Sequence, residues 1–154
     1  MTRVRRRPVN TITARYQSYN FRGEVIRLPM LKIRLFSRNR DHSLRTHALI
    51  DSGATTSFLP TDLAEVLGLR NLGRTNAEGA GGTFDAWETE AHVEILKGSR
   101  ACCEMDIGML VPFETGRVPY AVLGRDSVFE EFDITFSETR QMLVMRRSRK
   151  EARR

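Results

Sequence analysis

Asp51 is the residue of this sequence whose type and neighbours most suggest catalysis. It comes directly after the apolar residues 48–50 and directly before Ser52, Gly53 and Ala54. Small neighbours leave a carboxylate accessible, Gly53 allows close approaches that a side chain would prevent, and Ser52 supplies a hydroxyl. These residue types suit an acid catalyst, although Asp-Ser-Gly is also found in ordinary turns.

Two later stretches have the composition expected of partners for such an acid. The stretch EGAGGTF predicts a hairpin tip with few side chains, which suits a cover whose backbone must reach a ligand. Its tip residues are Gly79, Ala80, Gly81 and Gly82. The stretch YAVLGRD predicts an apolar strand that ends in a turn, whose residues are Gly124, Arg125 and Asp126.

Short alternating runs between turn residues predict an all-β domain from about residue 24 onward. In LPMLKIRLF, the side chains of Leu31, Ile33 and Leu35 share one face, which predicts a half-buried strand. A polar loop at 37–43 then returns the chain as the strand that ends at Asp51.

Short helices are predicted within PTDLAEVLGL and within DSVFEEF. Two similar units, ALIDSGATTSFLP and AVLGRDSVFEEFD, each run from an apolar strand through a turn that contains Asp toward a helix or a hydrophobic anchor. Two such units can pack about a pseudo-twofold axis, so the pattern suggests a faint internal repeat.

The order and spacing of LIDSGA, EGAGGTF and VLGRD resemble those of the retroviral-type aspartic proteases, the retropepsin family. In that family the first motif supplies the catalytic Asp, the glycine-rich hairpin forms a flap, and the third motif precedes a short helix. The resemblance spans residues 24–145. It implies an all-β fold, a small closed barrel of the retropepsin-like acid protease type with one or two short helices, active as a homodimer. The final strand, RQMLVMR, would join the dimer interface.

The resemblance also assigns roles to individual residues. The catalytic motif would be Asp51, Ser52 and Gly53, with Gly124, Arg125 and Asp126 as structural support near the site. A peptide or protein substrate would bind as an added strand between flap and floor. The residues implied to bind it are Leu49, Ala54, Gly79, Ala80, Gly81, Gly82, Tyr120 and Val122.

The sequence departs from the family at Thr55, where members commonly have an acidic residue that pairs with the Arg of the third motif. The partner of Arg125 therefore stays open: Asp126, another acid or backbone carbonyls are the alternatives.

Aspartic-protease chemistry needs two carboxylates that share one proton. Only one Asp-Ser-Gly occurs in the chain, so the second carboxylate is expected from another copy, with the two Asp51 residues on a twofold axis. Asp126, through the internal repeat, is a disfavoured alternative within one chain. No cofactor is expected.

The net charge of +6 is concentrated at the ends of the chain. Residues 1–7 carry +4 and residues 146–154 carry +5, which leaves −3 for residues 8–145. We therefore expect a basic, flexible arm at 1–20, a protease domain at 21–145 and a basic, disordered tail at 146–154. Such ends could contact nucleic acid weakly and without specificity.

Cysteine, histidine and hydropathy patterns add three expectations. No apolar run approaches the roughly 18 residues of a membrane span, and no apolar signal segment follows MTRVRRRPVN, so a cytoplasmic protein without membrane contact is expected. Cys102 and Cys103 are adjacent, a spacing unusual for disulfides or zinc, so we expect ordinary strand residues in a reducing compartment. His42, His47 and His92 lack the spacing of metal ligands, so no metal site is expected.

Two other classes of function remain open at this stage. One is the same fold without efficient proteolysis, acting as a dimeric peptide-binding or scaffold module. The other is a basic, nucleic-acid-binding β-barrel, which predicts salt-sensitive binding that disappears when both charged ends are removed.

Overall fold

The computed structural model describes residues 10–149. These residues form a mostly β structure of twelve strands and two short helices, as the alternating runs predict. The strands are β1 (Thr11–Arg15), β2 (Gln17–Phe21), β3 (Glu24–Leu28), β4 (Met30–Phe36), β5 (Ser43–Ile50), β6 (Ser57–Phe58), β7 (Gly73–Gly79), β8 (Gly82–Lys97), β9 (Arg100–Pro112), β10 (Ala121–Leu123), β11 (Phe132–Ser137) and β12 (Met142–Arg147). The helices are α1 (Thr61–Val66) and α2 (Val128–Glu131).

Seven strands form the main sheet, in the order β4-β5-β10-β6-β9-β8-β7. The predicted hairpin is present, because β4 and β5 pair antiparallel around the polar loop between them. Strands β8 and β9 form a long hairpin with a bulge after Ile95. Strand β8 also pairs with β4 at residues 33–35, so the sheet folds back onto its first strand.

The core lies inside this folded sheet. The alternation that predicts a half-buried β4 is observed, since Leu31, Ile33 and Leu35 are almost completely buried. Strand β8 follows the same rule with Val93 and Ile95, both fully buried. Burial of such a side chain contributes roughly 1.5–3 kcal/mol, so the core fixes which face of each strand points inward and thereby the register of the sheet.

A second sheet, in the order β1-β12-β11, corrects the predicted domain boundaries. The expectation of a flexible arm over residues 1–20 is wrong from residue 11 onward, because β1 pairs with β12 along its whole length. The prediction of a disordered tail at 146–154 is wrong for its first residues. Strand β12 continues to Arg147, and the Ser148 N–H donates to the Glu131 carbonyl at 2.9 Å.

The reason for this error is local. Ile12 points inward and is 2% exposed, and Tyr16 is also buried, but the arginine cluster before them dominates the composition of the segment. The rest of both predicted ends, residues 1–9 and 150–154, lies outside the described residues.

The remaining elements lie next to the main sheet. Strands β2 and β3 form a separate hairpin, which contacts the rest of the chain through Tyr19, whose ring lies edge-on to Tyr120 at 5.3 Å. Thr61 opens α1 and donates its hydroxyl to the Pro112 carbonyl at 2.7 Å. Neither described helix has the length and hydrophobicity required to cross a bilayer.

The pairing of β1 with β12 yields a stability prediction. Ile12→Ala should lower the free energy of unfolding by about 2–4 kcal/mol, because it removes a buried side chain beside the fully buried Met145. Thr13→Ala, on the exposed face of the same strand, is the matched control and should change it little. Urea unfolding measures both; equal, small effects would restore the flexible-arm interpretation.

Candidate active site

The site forms where two parallel strands end side by side. Strand β10 runs parallel to β5, with Leu123 opposite Ile50. The turns that follow the two strands therefore lie side by side at the same edge of the sheet. The residues that emerge there are Asp51 and Gly124. The structure thus brings the two similar units of the sequence into contact, as expected for an internal repeat.

Backbone hydrogen bonds hold Asp51 at this edge. Its N–H donates to the Leu123 carbonyl at 3.1 Å, and its carbonyl accepts the Ala54 N–H at 3.3 Å. The Oδ1 atom of its carboxylate accepts the Gly53 N–H at 2.9 Å. A Cβ on Gly53 would lie 3.2 Å from that oxygen, tighter than most real contacts. Glycine therefore lets the backbone serve as a donor to the half-buried acid.

The turn after β10 closes against the turn that carries Asp51. A Cβ on Gly124 would lie 2.7 Å from the carbonyl oxygens of both Ala54 and Thr56, so no side chain fits there. The next two N–H groups continue the contact: Arg125 donates to the Ala54 carbonyl at 2.8 Å and Asp126 to the Thr55 carbonyl at 3.2 Å.

The partner left open for Arg125 is a hydroxyl. Its guanidinium donates to Thr55 Oγ1 at 3.1 Å, at the position where the family commonly has an acid. Asp126 does not take that role; its Oδ1 accepts the Ser57 hydroxyl at 2.8 Å. The Arg125 contact links the two turns and the Asp126 contact links the second turn to the start of β6, so a neutral side chain replaces the expected ion pair.

Ser57 is a functional-site neighbour that sequence reasoning missed. It is fully buried, and its Oγ accepts the Gly124 N–H at 3.0 Å. It also lies 3.1 Å from Ser127 Oγ, which donates to the Gly124 carbonyl at 2.9 Å. The available signal was a small hydroxyl residue directly before the hydrophobic pair Phe-Leu, at an inward position of a strand.

An open cleft of about 900 Å³ lies above Asp51. Predicted site residues that line it are Leu49, Asp51, Gly53, Ala54, Gly79, Ala80, Gly81, Tyr120 and Val122. The other predicted residues, Ser52, Gly82, Gly124, Arg125 and Asp126, are not among its lining residues. Residues that line it but were not predicted include Phe58, Glu78, Phe84, Arg117, Val118 and Pro119.

The glycine-rich hairpin forms one side of this cleft. Strands β7 and β8 pair from Gly73 opposite Glu88 to Gly79 opposite Gly82. We call residues 79–82 the hairpin tip. Gly82 has φ +97°, a conformation that side chains disfavour, which explains why this tight turn needs glycine. Behind the tip, Phe84 lies 6.1 Å from Phe58 between ring centroids.

Tyr120 lies close enough to Asp51 that, besides burial, the negative charge of the Asp51 carboxylate raises the pKa of the Tyr120 hydroxyl. Burial raises the pKa of the Tyr120 hydroxyl above its ordinary value, and nearby Tyr19 and the Asp51 carboxylate raise that pKa further. The Tyr120 hydroxyl therefore stays protonated over a wider pH range than that of a free tyrosine. Among residues 10–149 no group of three or more His, Cys, Asp or Glu side chains is arranged to hold a metal ion.

Fold and site together define a β-rich protein in which Asp51 is, within residues 10–149, the one acid at the floor of a cleft beside a glycine-tipped hairpin. The model of the aspartyl protease family matches residues 39–126, more than half of the chain, so the chain belongs to the aspartyl protease family. No curated protein matches it significantly.

Solved structures give the same class of fold. A retropepsin-like aspartic protease from Rickettsia conorii is similar with a TM-score of 0.55 and 16% sequence identity, over 88% of this chain and 90% of that chain. The EIAV protease in complex with the inhibitor HBY-793 has 23% identity and a TM-score of 0.48, over 73% of this chain and 93% of that chain. The family model and the fold shared with the Rickettsia conorii protease confirm the resemblance to retropepsins, and family and fold together support a peptidase activity in general.

The contact at Gly124 gives a prediction about the site's framework. Gly124→Ala should lower the free energy of unfolding by about 2 kcal/mol or more, because its methyl group would collide with two backbone carbonyls that cannot rotate away. The matched control is Gly108→Ala, an exposed position in β9 with open space around the added Cβ. Thermal or urea unfolding compares them; an equally tolerated Gly124→Ala would contradict this close approach.

Proposed function

We propose that the chain is an aspartic endopeptidase that acts as a homodimer, in which the Asp51 carboxylates of two subunits activate one water molecule. The observation that carries this proposal is the placement of Asp51: backbone groups hold it at the floor of an open cleft, under a glycine-tipped hairpin. Membership of the aspartyl protease family supports the reaction class.

The acids near the site support a second copy as the source of the second carboxylate. Asp126, the alternative within one chain, is bonded to the hydroxyl and N–H of Ser57 and does not line the cleft. The other acid among the lining residues is Glu78, which lies on the hairpin and not on the floor. One subunit therefore supplies one acid at the floor, and a twofold axis through the site would supply the other.

The proposed reaction follows from two carboxylates that share a proton. Like charges a few Å apart cannot both ionise cheaply, so one Asp51 is ionised while its counterpart is protonated. The ionised group removes a proton from water as that water attacks the peptide carbonyl, and the protonated group donates to the carbonyl oxygen. The tetrahedral intermediate then collapses as its C–N bond breaks: the carboxyl group that took the water proton passes a proton to the leaving amine, the other carboxylate recovers a proton from the intermediate's hydroxyl, and no covalent bond to the enzyme forms.

A peptide in extended conformation is the proposed substrate. It would lie as an added strand between the hairpin, acting as a flap, and the floor around Gly53. The cleft is lined by apolar side chains, namely Leu49, Val122 and the neighbouring rings of Phe58 and Phe84. Substrates with apolar side chains next to the cleaved bond are therefore favoured. The second pairing of β8 with β4 supports the closed barrel that would hold this floor rigid.

Substitution of the acid tests the proposal directly. Asp51→Asn should reduce kcat/KM for peptide cleavage about 10³-fold or more, because an amide cannot take up the proton. It should leave thermal unfolding nearly unchanged, since Asn keeps the shape of Asp. Glu78→Gln should cost far less activity, and an equal loss there would instead make Glu78 the second acid.

Subunit mixing separates the dimer from a one-chain site. When Asp51→Asn protein is mixed with wild type under conditions that allow exchange, activity should fall below the wild-type share of the mixture, because mixed dimers contain one acid. Activity strictly proportional to the wild-type share would show that each chain works alone. Sedimentation of the same samples reports whether dimers form at all.

The shared proton also predicts the pH dependence. Peptide cleavage should be favoured on the acidic side of neutrality and should decline toward about pH 9, since the pair of carboxylates loses its shared proton as the pH rises. The raised pKa of Tyr120 keeps its hydroxyl protonated there, so Tyr120→Phe should retain this alkaline decline. Profiles of kcat/KM against pH test both statements; a rate that still increases near pH 9 contradicts the shared proton.

A further inference from the structure

Arg117 connects the loop before β10 to the hairpin on the other side of the cleft. Its Nη2 donates to the Gly81 carbonyl at 3.2 Å, and its guanidinium carbon lies 4.9 Å from the centre of the Phe84 ring. The Arg117 side chain is 29% exposed. Both hairpin contacts come from one guanidinium, so Arg117 spans the cleft within a single subunit.

The loop is shaped to aim this side chain inward. Gly116 has φ +84°, a left-handed conformation that reverses the chain just before Arg117. The Arg117 N–H donates to the Glu114 carbonyl at 3.4 Å, and the Glu114 carboxylate lies 3.8 Å from the guanidinium. Because Glu114 is 73% exposed, that ion pair adds little; the contacts to Gly81 and Phe84 are the ones that hold the hairpin.

The hairpin tip has little else to fix it. Residues 79–82 are all exposed, and as three glycines and one alanine they bury almost no side chain and lose much conformational entropy when ordered. A Cβ on Gly81 would lie 3.2 Å from Arg117 Nη2. A side chain at position 81 would therefore displace the guanidinium by a few tenths of an ångström.

We propose that Arg117 is a positioning residue that holds the hairpin tip over the cleft and so prepares it to bind peptide, an inference that rests on the proposed peptidase function. Arg117 does not touch the reacting atoms in this scheme. It lowers the entropic cost of ordering the tip when substrate arrives, so its contribution belongs to substrate binding and not to the chemical step.

Variants at Arg117 test the proposal by kinetics and by hydrogen exchange. Arg117→Ala should raise KM about three- to tenfold and change kcat less than about twofold, because a cation–π contact and a charge-assisted hydrogen bond are lost. Amide exchange over residues 79–84 should accelerate several-fold. Arg117→Lys, which keeps a charged donor but not the flat guanidinium, should recover part of both effects.

Arg74 provides a matched control at the other end of the same hairpin. Its guanidinium carbon lies 5.1 Å from the Phe113 ring centre, and it pairs with Asp85, yet it does not line the cleft. Arg74→Ala should therefore leave KM and exchange at the tip near the wild-type values.

The outcomes separate the two proposals. Unchanged exchange at residues 79–84 in Arg117→Ala, or equal changes in Arg117→Ala and Arg74→Ala, would overturn the role of Arg117 even in an active peptidase. A wild-type protein without Asp51-dependent cleavage would overturn the proposed function, and the exchange measurements would still decide whether Arg117 holds the tip.

Discussion

Two backbone carbonyls, those of Ala54 and Thr56, approach Gly124 more closely than any side chain would allow. This contact joins the turn after β5 to the turn after β10, and the position of Asp51 depends on it, because its own N–H is bonded to the last residue of β10. If the two turns separated, the acid would lose its backbone anchor. Main-chain groups, which have few alternative positions, thus fix the site more tightly than long side chains could.

Neutral hydroxyls reinforce this contact between the two turns, where the family resemblance predicted an ion pair. Arg125 donates to the Thr55 hydroxyl in the first turn, and Asp126 accepts the Ser57 hydroxyl at the start of β6, so each charged side chain of the second turn meets a hydroxyl in or directly after the first. An acid at position 55 would add a second negative charge to the turn that carries Asp51, whereas Thr55 does not. Little stability is lost by this exchange, since exposed ion pairs contribute only up to about 1 kcal/mol. The turn keeps its geometry while Asp51 remains its only formal charge.

The sequence predicts most of what depends on neighbouring residues. The alternation in β4, the β4–β5 hairpin and the glycine tip follow from patterns of a few residues, and those segments form the elements expected. Contacts between distant segments could not be predicted in this way: Ser57 reaches Gly124, and Arg117 reaches Gly81, across 67 and 36 positions. The strand around Ile12 was missed because the arginine cluster before it dominates the composition of that segment, and its pairing with β12 at the opposite end of the chain is not visible in neighbouring residues.

The floor and the tip of the cleft are held by interactions of different strength, and that difference fits their roles. Buried hydrogen bonds around Gly124 cost roughly 1–3 kcal/mol each when a partner is left unsatisfied, so the floor has one arrangement. Arg117 holds the tip through a partly exposed cation–π contact, which contributes nearer 0.5–1 kcal/mol, and one hydrogen bond. These two contacts of Arg117 can break and form again without unfolding of the domain, because no core side chain has to move. Under the proposed function, a cleft that admits an extended peptide and then closes on it would need this combination of a fixed acid and a reversible cover.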